Sequence, residues 1–412
     1  TTSKTTATPS SPDPEVSKKT FQLDLLRCGC SGLLGEGWRA FGILIAIEYF
    51  GAGSFAKGSV SAAFMIGLLL APVSIFYLSR LKFKSATLTG ILYFIASGLL
   101  LLSSFSSHSL ALFLIPGVMA AALLAQQMPL LIHIYSTNYA SNKRGKNVSF
   151  GITLGVIGAL PFGFFGGKLL DLDLGYFVWL FRFMSMASLM AGIFTIMMPS
   201  ERLAPTEGGN PLKHLNLIWK DKIFGCMLGM WMILGFGNLA TMPLQTEYMV
   251  EDQYGILATA SQVSLCLLII PNIVRMCTTY FWGYLFDQFD FFLIRALASI
   301  VQLSGIIVFF FSPNLTYLYI AGGLFGLGLA GANVNWSLWV TKFAPTGEES
   351  NYMSVHSFLT GTRGIVAPYF GFFMVDLIGL TPTVIFGTTL VTISILLIYP
   401  ISRMTRTSAV RA

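Results

Sequence analysis

Ionised side chains inside long apolar runs are the residues of this sequence best suited to chemistry. Glu36 and Arg39 stand three apart in the run 23–50, which puts both on one face of a helix. Arg275 lies in the run 258–283, Arg363 near the middle of the run 352–375, and Arg182 in the run 176–198. A charge in an apolar solvent is costly, so such residues face a polar cavity or one another. A guanidinium stays protonated and presents a fork of donors that matches a carboxylate or phosphate. A glutamate beside an arginine releases or regains a proton according to whether that arginine is drawn elsewhere. These groups point to an anionic or zwitterionic organic ligand and to proton coupling. Uncharged polar groups on other runs fit the same use: Gln126, Gln127 and His133 in 111–136, Asn238 and Gln245 in 223–247, and Asn333, Asn335, Trp336 and Trp339 in 317–341. Each has a plainer role as a helix-to-helix hydrogen bond. His133 adds a group that titrates near neutral pH.

Membrane helices must position them. Of the 412 residues, 54% are hydrophobic and only 10% charged, with a mean hydropathy of +0.72. A soluble domain carries about 25% charged residues, so this chain uses lipid as solvent. Twelve apolar runs are read at 23–50, 58–79, 85–105, 111–136, 148–169, 176–198, 223–247, 258–283, 293–311, 317–341, 352–375 and 383–402. A membrane helix needs roughly 17–25 residues. Residues 1–22 read as a disordered cytosolic tail without the apolar core of a signal peptide, and 403–412 as a second tail. The segment 199–222 reads as a cytosolic linker. Its later part mixes Leu212, Leu215, Ile218 and Trp219 with Lys213, Lys220 and Lys222, the pattern of a helix lying on a membrane surface.

Charge placement sets the orientation. With both chain ends inside, the inner segments hold 17 basic residues, among them Arg80, Lys84, Arg144 and Arg403, against Lys57 and Lys168 outside. That is a positive-inside bias, so the net charge of +7 marks topology and not a nucleic-acid surface. The five cysteines lie in apolar runs without a CxxC pair, which gives neither a metal site nor a disulfide framework. No nucleophile–base pair, HExxH or Walker lysine motif appears, which argues against an enzyme and against direct ATP drive. Asp287 and Asp290 form a DxxD, but no second acidic cluster on that side completes a magnesium-diphosphate site.

The runs fall into two copies. Tyr135–Asp171 and Trp339–Asp376 share one layout: apolar run, short polar loop, apolar run. Thr137, Ala140 and Asn147 fall on Thr341, Ala344 and Asn351 at an offset of 204. Gly35, Gly37 and Ala40 fall on Gly235, Gly237 and Ala240 at an offset of 200, whereas Glu36 and Arg39 fall on Phe236 and Leu239. Packing residues repeat and these charges do not, which favours function over scaffold for the pair. Parallel repeats are a known transporter design.

Two six-helix halves, 23–198 and 223–402, joined by a basic loop, resemble the major facilitator superfamily of secondary transporters. That family often carries G-x-x-x-D-R-x-G-R-R after its second helix and a weaker copy after its eighth. Here Gly283 and Asp287 keep the spacing of the second copy, with Gln288 in place of arginine. In the first copy Ile75 and Ser79 replace glycine and aspartate, while Arg80 and Lys84 remain. The drug-antiporter string G-P-x-x-G-G is approached by Ala159–Gly167 and, in part, by Ala367–Gly371; the glycines there read first as close helix packing.

The resemblance implies an all-α membrane fold working by alternating access. Its cavity is lined by the first, eighth and eleventh helices, which makes Arg39, Arg275 and Arg363 cavity residues and leaves Arg182 peripheral. Gln126, Gln127, Asn238, Asn333, Asn335 and Trp336 join them as substrate-binding, and Glu36 and His133 as proton-coupling. Gly283, Asp287 and Arg80 become gating residues. Asp287 would meet the positive end of the eleventh helix near Asn351 when the inner side closes. The implied partners are a small-molecule substrate, a coupling proton and membrane lipid, for a monomer in the inner cell membrane without a cofactor. A flippase for lipid-linked substrates and a drug–proton antiporter remain alternatives on the same fold.

Overall fold

The structure, a computed structural model, describes residues 13–106, 108–203, 214–345 and 348–409. Twelve helices are long and apolar enough to cross a bilayer: α1 Pro14–Glu48, α2 Ser54–Arg80, α3 Ser85–Ser103, α4 Leu110–Asn138, α5 Lys143–Leu172, α6 Leu174–Ile196, α7 Lys222–Val250, α8 Ala260–Gln288, α9 Phe291–Phe310, α10 Leu315–Trp336, α11 Asn351–Ile378 and α12 Leu380–Thr405. A helix satisfies its backbone groups internally, which lipid demands. Polar residues mark the starts: Asp221 accepts from the Phe224 amide at 3.0 Å, and Asn314 accepts from the Thr316 amide at 2.9 Å, satisfying donors that the first turn leaves open. The chain reverses at Gly51 (φ +58°) and Gly379 (φ +86°), conformations that only glycine adopts cheaply.

The two copies pack alike. In the N-terminal half α3 packs on α4 and α6, α1 on α5 and α6, and α2 on α4. Six helices later α9 packs on α10 and α12, α7 on α11 and α12, and α8 on α10. Small residues allow the closest approaches. A Cβ on Gly32 of α1 would stand 2.1 Å from the carbonyl oxygen of Gly155 on α5, so backbone touches backbone there.

The halves meet mainly as α2 against α11 and α5 against α8. Their contacts gather at the face away from the chain ends, here the far face. Lys57 bonds Glu247 at 2.9 Å and Glu251 at 3.2 Å. Ser54 bonds Asp376, and Asp171 accepts from Ser261. Ser264 donates to the Gly163 carbonyl at 2.7 Å. Toward the face with the chain ends, Tyr77 of α2, Ile152 and Ile157 of α5, and Tyr280 and Tyr284 of α8 are exposed. The cleft between the halves is therefore shut at the far face and open at the terminal face.

Three expected boundaries move. α1 begins at Pro14, capped by Asp13, so part of the expected tail 1–22 is helical; residues 1–12 lie outside the described residues. The last helix continues to Ala409, through most of the expected tail 403–412. Of the linker 199–222, residues 204–213 lie outside the described residues. Of the expected surface helix, the described residues hold one α-helical turn, Leu217–Lys220. Its Leu217 and Ile218 pack on the core of the C-terminal half while Trp219 is exposed.

Candidate functional site

Two helices that face each other across the cleft each contain one π-helical turn: Trp38–Gly42 in α1 and Leu265–Ile269 in α8. A π turn carries an extra residue and re-aims the side chains on either side of it, commonly at functional sites. In α1 it begins two residues after Glu36 and contains Arg39; in α8 it precedes Asn272 and Arg275. Arg39 donates through Nε to Glu36 Oε2 at 3.1 Å, and its Nη2 donates to the same oxygen. From the other half, Arg275 donates through Nη2 to Glu36 Oε1 at 3.2 Å and to Asn272 Oδ1. Asn272 is buried and fixed by its own donation to the Leu268 carbonyl at 2.9 Å.

One carboxylate thus answers two guanidiniums, each on a different half, and the triad carries one net positive charge. The side chains are 47% exposed for Arg39, 26% for Arg275 and 17% for Glu36. A Cβ on neighbouring Gly35 would meet nothing within 4 Å. The Arg39–Glu36 pair, with Arg39 half in solvent, is worth only about 0–1 kcal/mol, so an incoming anion can take over Arg39 at little cost.

The sequence profile of the Major Facilitator Superfamily matches residues 28–368. The chain belongs to the Major Facilitator Superfamily. No curated protein matches the sequence. Solved structures of the same fold include the nucleoside transporter NupG (TM-score 0.73, 12% identity, 95% of this chain and 99% of that one). A bacterial homologue of the human lysosomal transporter Spinster, inward-facing and unoccupied, gives a TM-score of 0.73 at 13% identity, covering 95% of this chain and 98% of that one. A D-xylose–proton symporter gives 0.68 at 13% identity, covering 94% and 98%. This superfamily protein is thus a multi-pass membrane transporter and not an enzyme.

The expected substrate residues of this superfamily chain do not share one cavity. Arg39 and Arg275 meet at Glu36, but Arg363 is not with them. It is buried in the C-terminal half, where its Nη1 donates to the Trp231 carbonyl of α7. A Cβ on Gly235 would lie 2.1 Å from the Arg363 guanidinium carbon; the glycine leaves room for the arginine to cross α7. Asn335 is fully buried on the same side of the molecule, and the Trp336 ring stands 5.3 Å from that of His356. Asn238 donates to Gln302 of α9 at 3.1 Å and ties helices within one half. Gln126 is buried in α4, and Gln127 donates to the Leu124 carbonyl of its own helix at 2.7 Å. Asn333 is exposed on α10. His133 bonds Ser85 of α3 at 2.8 Å, a tie between neighbouring helices rather than a partner of Glu36.

The expected gating residues sit at the open face. Asp287 is exposed and makes no ion pair among the described residues; α8 and α11 belong to the same half, so the contact expected near Asn351 is not one that bridges the halves. A Cβ on Gly283 would meet nothing within 4 Å, so no neighbouring helix comes close at this glycine in this conformation. Arg80 lies over the Phe76 ring at 4.0 Å. Arg182 stacks on Trp179 and Phe105.

Sequence reasoning missed three buried charge clusters. Asp24 and Arg27 pair at 2.8 Å, and Arg27 also donates to the Tyr93 and Tyr135 hydroxyls at 3.0 Å each. Their i, i+3 spacing repeats that of Glu36 and Arg39 and was a readable signal. Lys57 with Glu247 and Glu251 borders a far-face cleft of about 420 Å³; Glu247 stood out as an acid within an apolar run. Arg295 of α9 is 2% exposed and was signalled as a lone charge in the run 293–311.

Proposed function

We propose that this transporter carries a small organic anion or zwitterion by alternating access, coupled to protons through Glu36. The observation that carries the reading is the triad itself, in which Glu36 joins Arg39 of its own helix to Arg275 of the opposite half. A substrate carboxylate entering the cleft competes with Glu36 for the two guanidiniums and can be held bidentately by either. Released from them, Glu36 loses the charges that favour its ionised form and takes up a proton. Because the Glu36–Arg275 bond spans the halves, exchanging it for substrate changes which side of the cleft is favoured, as differential binding must. Both halves of the site come from one chain, so a monomer suffices. Positive-inside charge puts the open terminal face in the cytoplasm, which makes the present conformation inward-open in an inner cell membrane.

Flux into proteoliposomes tests this. Radiolabelled carboxylate solutes, first ranked by thermal shift of the purified protein, are expected to accumulate against their gradient when a pH gradient is imposed. Flux of neutral solutes only would remove the anion assignment. Lipid scrambling without solute flux would make the protein a flippase instead.

A further inference from the structure

Among the described residues, the C-terminal half holds two buried guanidiniums with no carboxylate against them. Arg295 is 2% exposed, and its guanidinium carbon lies 3.2 Å from the centre of the Trp231 ring. Arg363, 8% exposed, donates to the carbonyl of that same Trp231. The His356 ring is 5.5 Å from the Trp231 ring and 5.2 Å from that of Trp339. Among the described residues these groups leave donors unanswered: Arg295 Nε and Nη2, Arg363 Nε, the Asn335 amide, and the indole N–H groups of Trp231 and Trp339. Neither His356 ring nitrogen has a partner among the described residues. Buried donors are ordinarily satisfied. Arginine does not escape by losing its proton, and an unpaired buried charge is among the costliest arrangements in a protein.

The N-terminal half meets the same demand with its own acid. There Asp24 pairs with Arg27 and accepts from the Tyr135 hydroxyl at 2.9 Å. At the repeat offset of 200, Asp24 corresponds to Phe224; at the offset of 204, Tyr135 corresponds to Trp339. Phe224 stacks on Trp339 with ring centres 5.6 Å apart and planes 10° apart. The C-terminal half thus keeps the contact between these two positions, lacks the carboxylate, and has two arginines to answer.

We propose that the C-terminal half binds a small monovalent anion among Arg295, Arg363, His356 and Trp339, where it takes the part that Asp24 plays in the N-terminal half. This site is separate from the Glu36 triad, and its test does not depend on transport. The anion offsets one of the two guanidinium charges and accepts from the unanswered N–H groups, joining α7, α9, α10 and α11.

The full chain, purified in detergent and exchanged into sodium gluconate, is titrated with sodium bromide, iodide or acetate at constant ionic strength. Melting temperature is expected to rise saturably with the anion that binds. Bromide and iodide are expected to quench part of the tryptophan fluorescence saturably, because Trp231 and Trp339 border the site. Arg295→Met should weaken the half-saturation by about tenfold or more, a loss of roughly one charge-assisted contact. Phe224→Asp restores an internal acid and should make stability independent of added anion. Saturation by acetate but not by halide supports the site and assigns it to organic carboxylates. Linear quenching of the unmodified protein, with a melting temperature indifferent to all three salts, overturns the proposal whether or not the variants fold.

Discussion

Glu36 bonds both halves at once, and in the proposed mechanism its neighbours divide the labour of binding and coupling. Arg275 is anchored by buried Asn272, so it offers a fixed fork, whereas half-exposed Arg39 keeps freedom to turn. Removing Arg275 deletes one charge-assisted hydrogen-bonding group, worth about 1.5–3 kcal/mol. Arg275→Ala is therefore expected to weaken substrate binding by roughly ten- to a hundredfold, read by calorimetry or a thermal-shift titration; unchanged affinity would take Arg275 out of the site. Glu36→Gln keeps the shape and removes the titrating group. It should retain binding and substrate exchange between equal pools while abolishing accumulation driven by a pH gradient. Persistence of gradient-driven uptake in that variant would assign proton coupling elsewhere.

Helix packing explains why so many glycines sit where they do, and not all do the same work. Gly32 and Gly155 bring α1 and α5 into backbone contact, and α1 carries the triad's glutamate. Gly32→Ala forces these helices apart, which should cost about 1–3 kcal/mol as overpacking does. Gly98 in α3 has nothing within 4 Å of its would-be Cβ, so Gly98→Ala should leave stability unchanged or raise it by about 0.5–1 kcal/mol. Thermal unfolding of both variants in the same detergent checks the contrast; equal effects would show that contact distance does not govern this interface. Gly235 belongs to neither class, since it makes room for an arginine rather than for a helix.

The whole molecule is held closed at one face by ionic contacts between halves. Lys57 and Glu247 have side chains only 10% and 5% exposed, and breaking a buried pair by removing one partner costs about 3–5 kcal/mol. Inverting a 99:1 conformational equilibrium takes about 5.5 kcal/mol, so this latch is of the size needed to set the resting state. Lys57→Met should lengthen the distance between spin labels at Asp173 and Gln253, measured by pulsed spectroscopy, as the far face opens. An unchanged distance distribution would mean that the α2–α11 and α5–α8 packing holds that face without help from the charge. The membrane orientation has its own check. In a background without reactive cysteines, Asp173→Cys should react with an impermeant thiol reagent from outside intact cells, and Gly208→Cys should not. The reverse pattern would invert the assigned sides.

Composition and hydropathy alone determined twelve membrane helices, because lipid leaves a chain with 10% charged residues few other ways to satisfy its backbone. The repeat at offsets of 200 and 204 likewise foretold the two halves, whose helix pairings match one for one. The spacing of Glu36 and Arg39 marked their pair, since i and i+3 are neighbours on any helix. Sequence did not reveal which distant helices each charge would meet. Arg275 and Arg363 looked equivalent, yet a π turn in α8 and the packing of α8 at the cleft bring one to Glu36, while Gly235 lets the other sink into its own half. Lys57 read only as an outside charge and is also a bond between halves. Partners 190 to 239 residues apart are set by how one half is placed against the other, and no local periodicity in the chain encodes that placement.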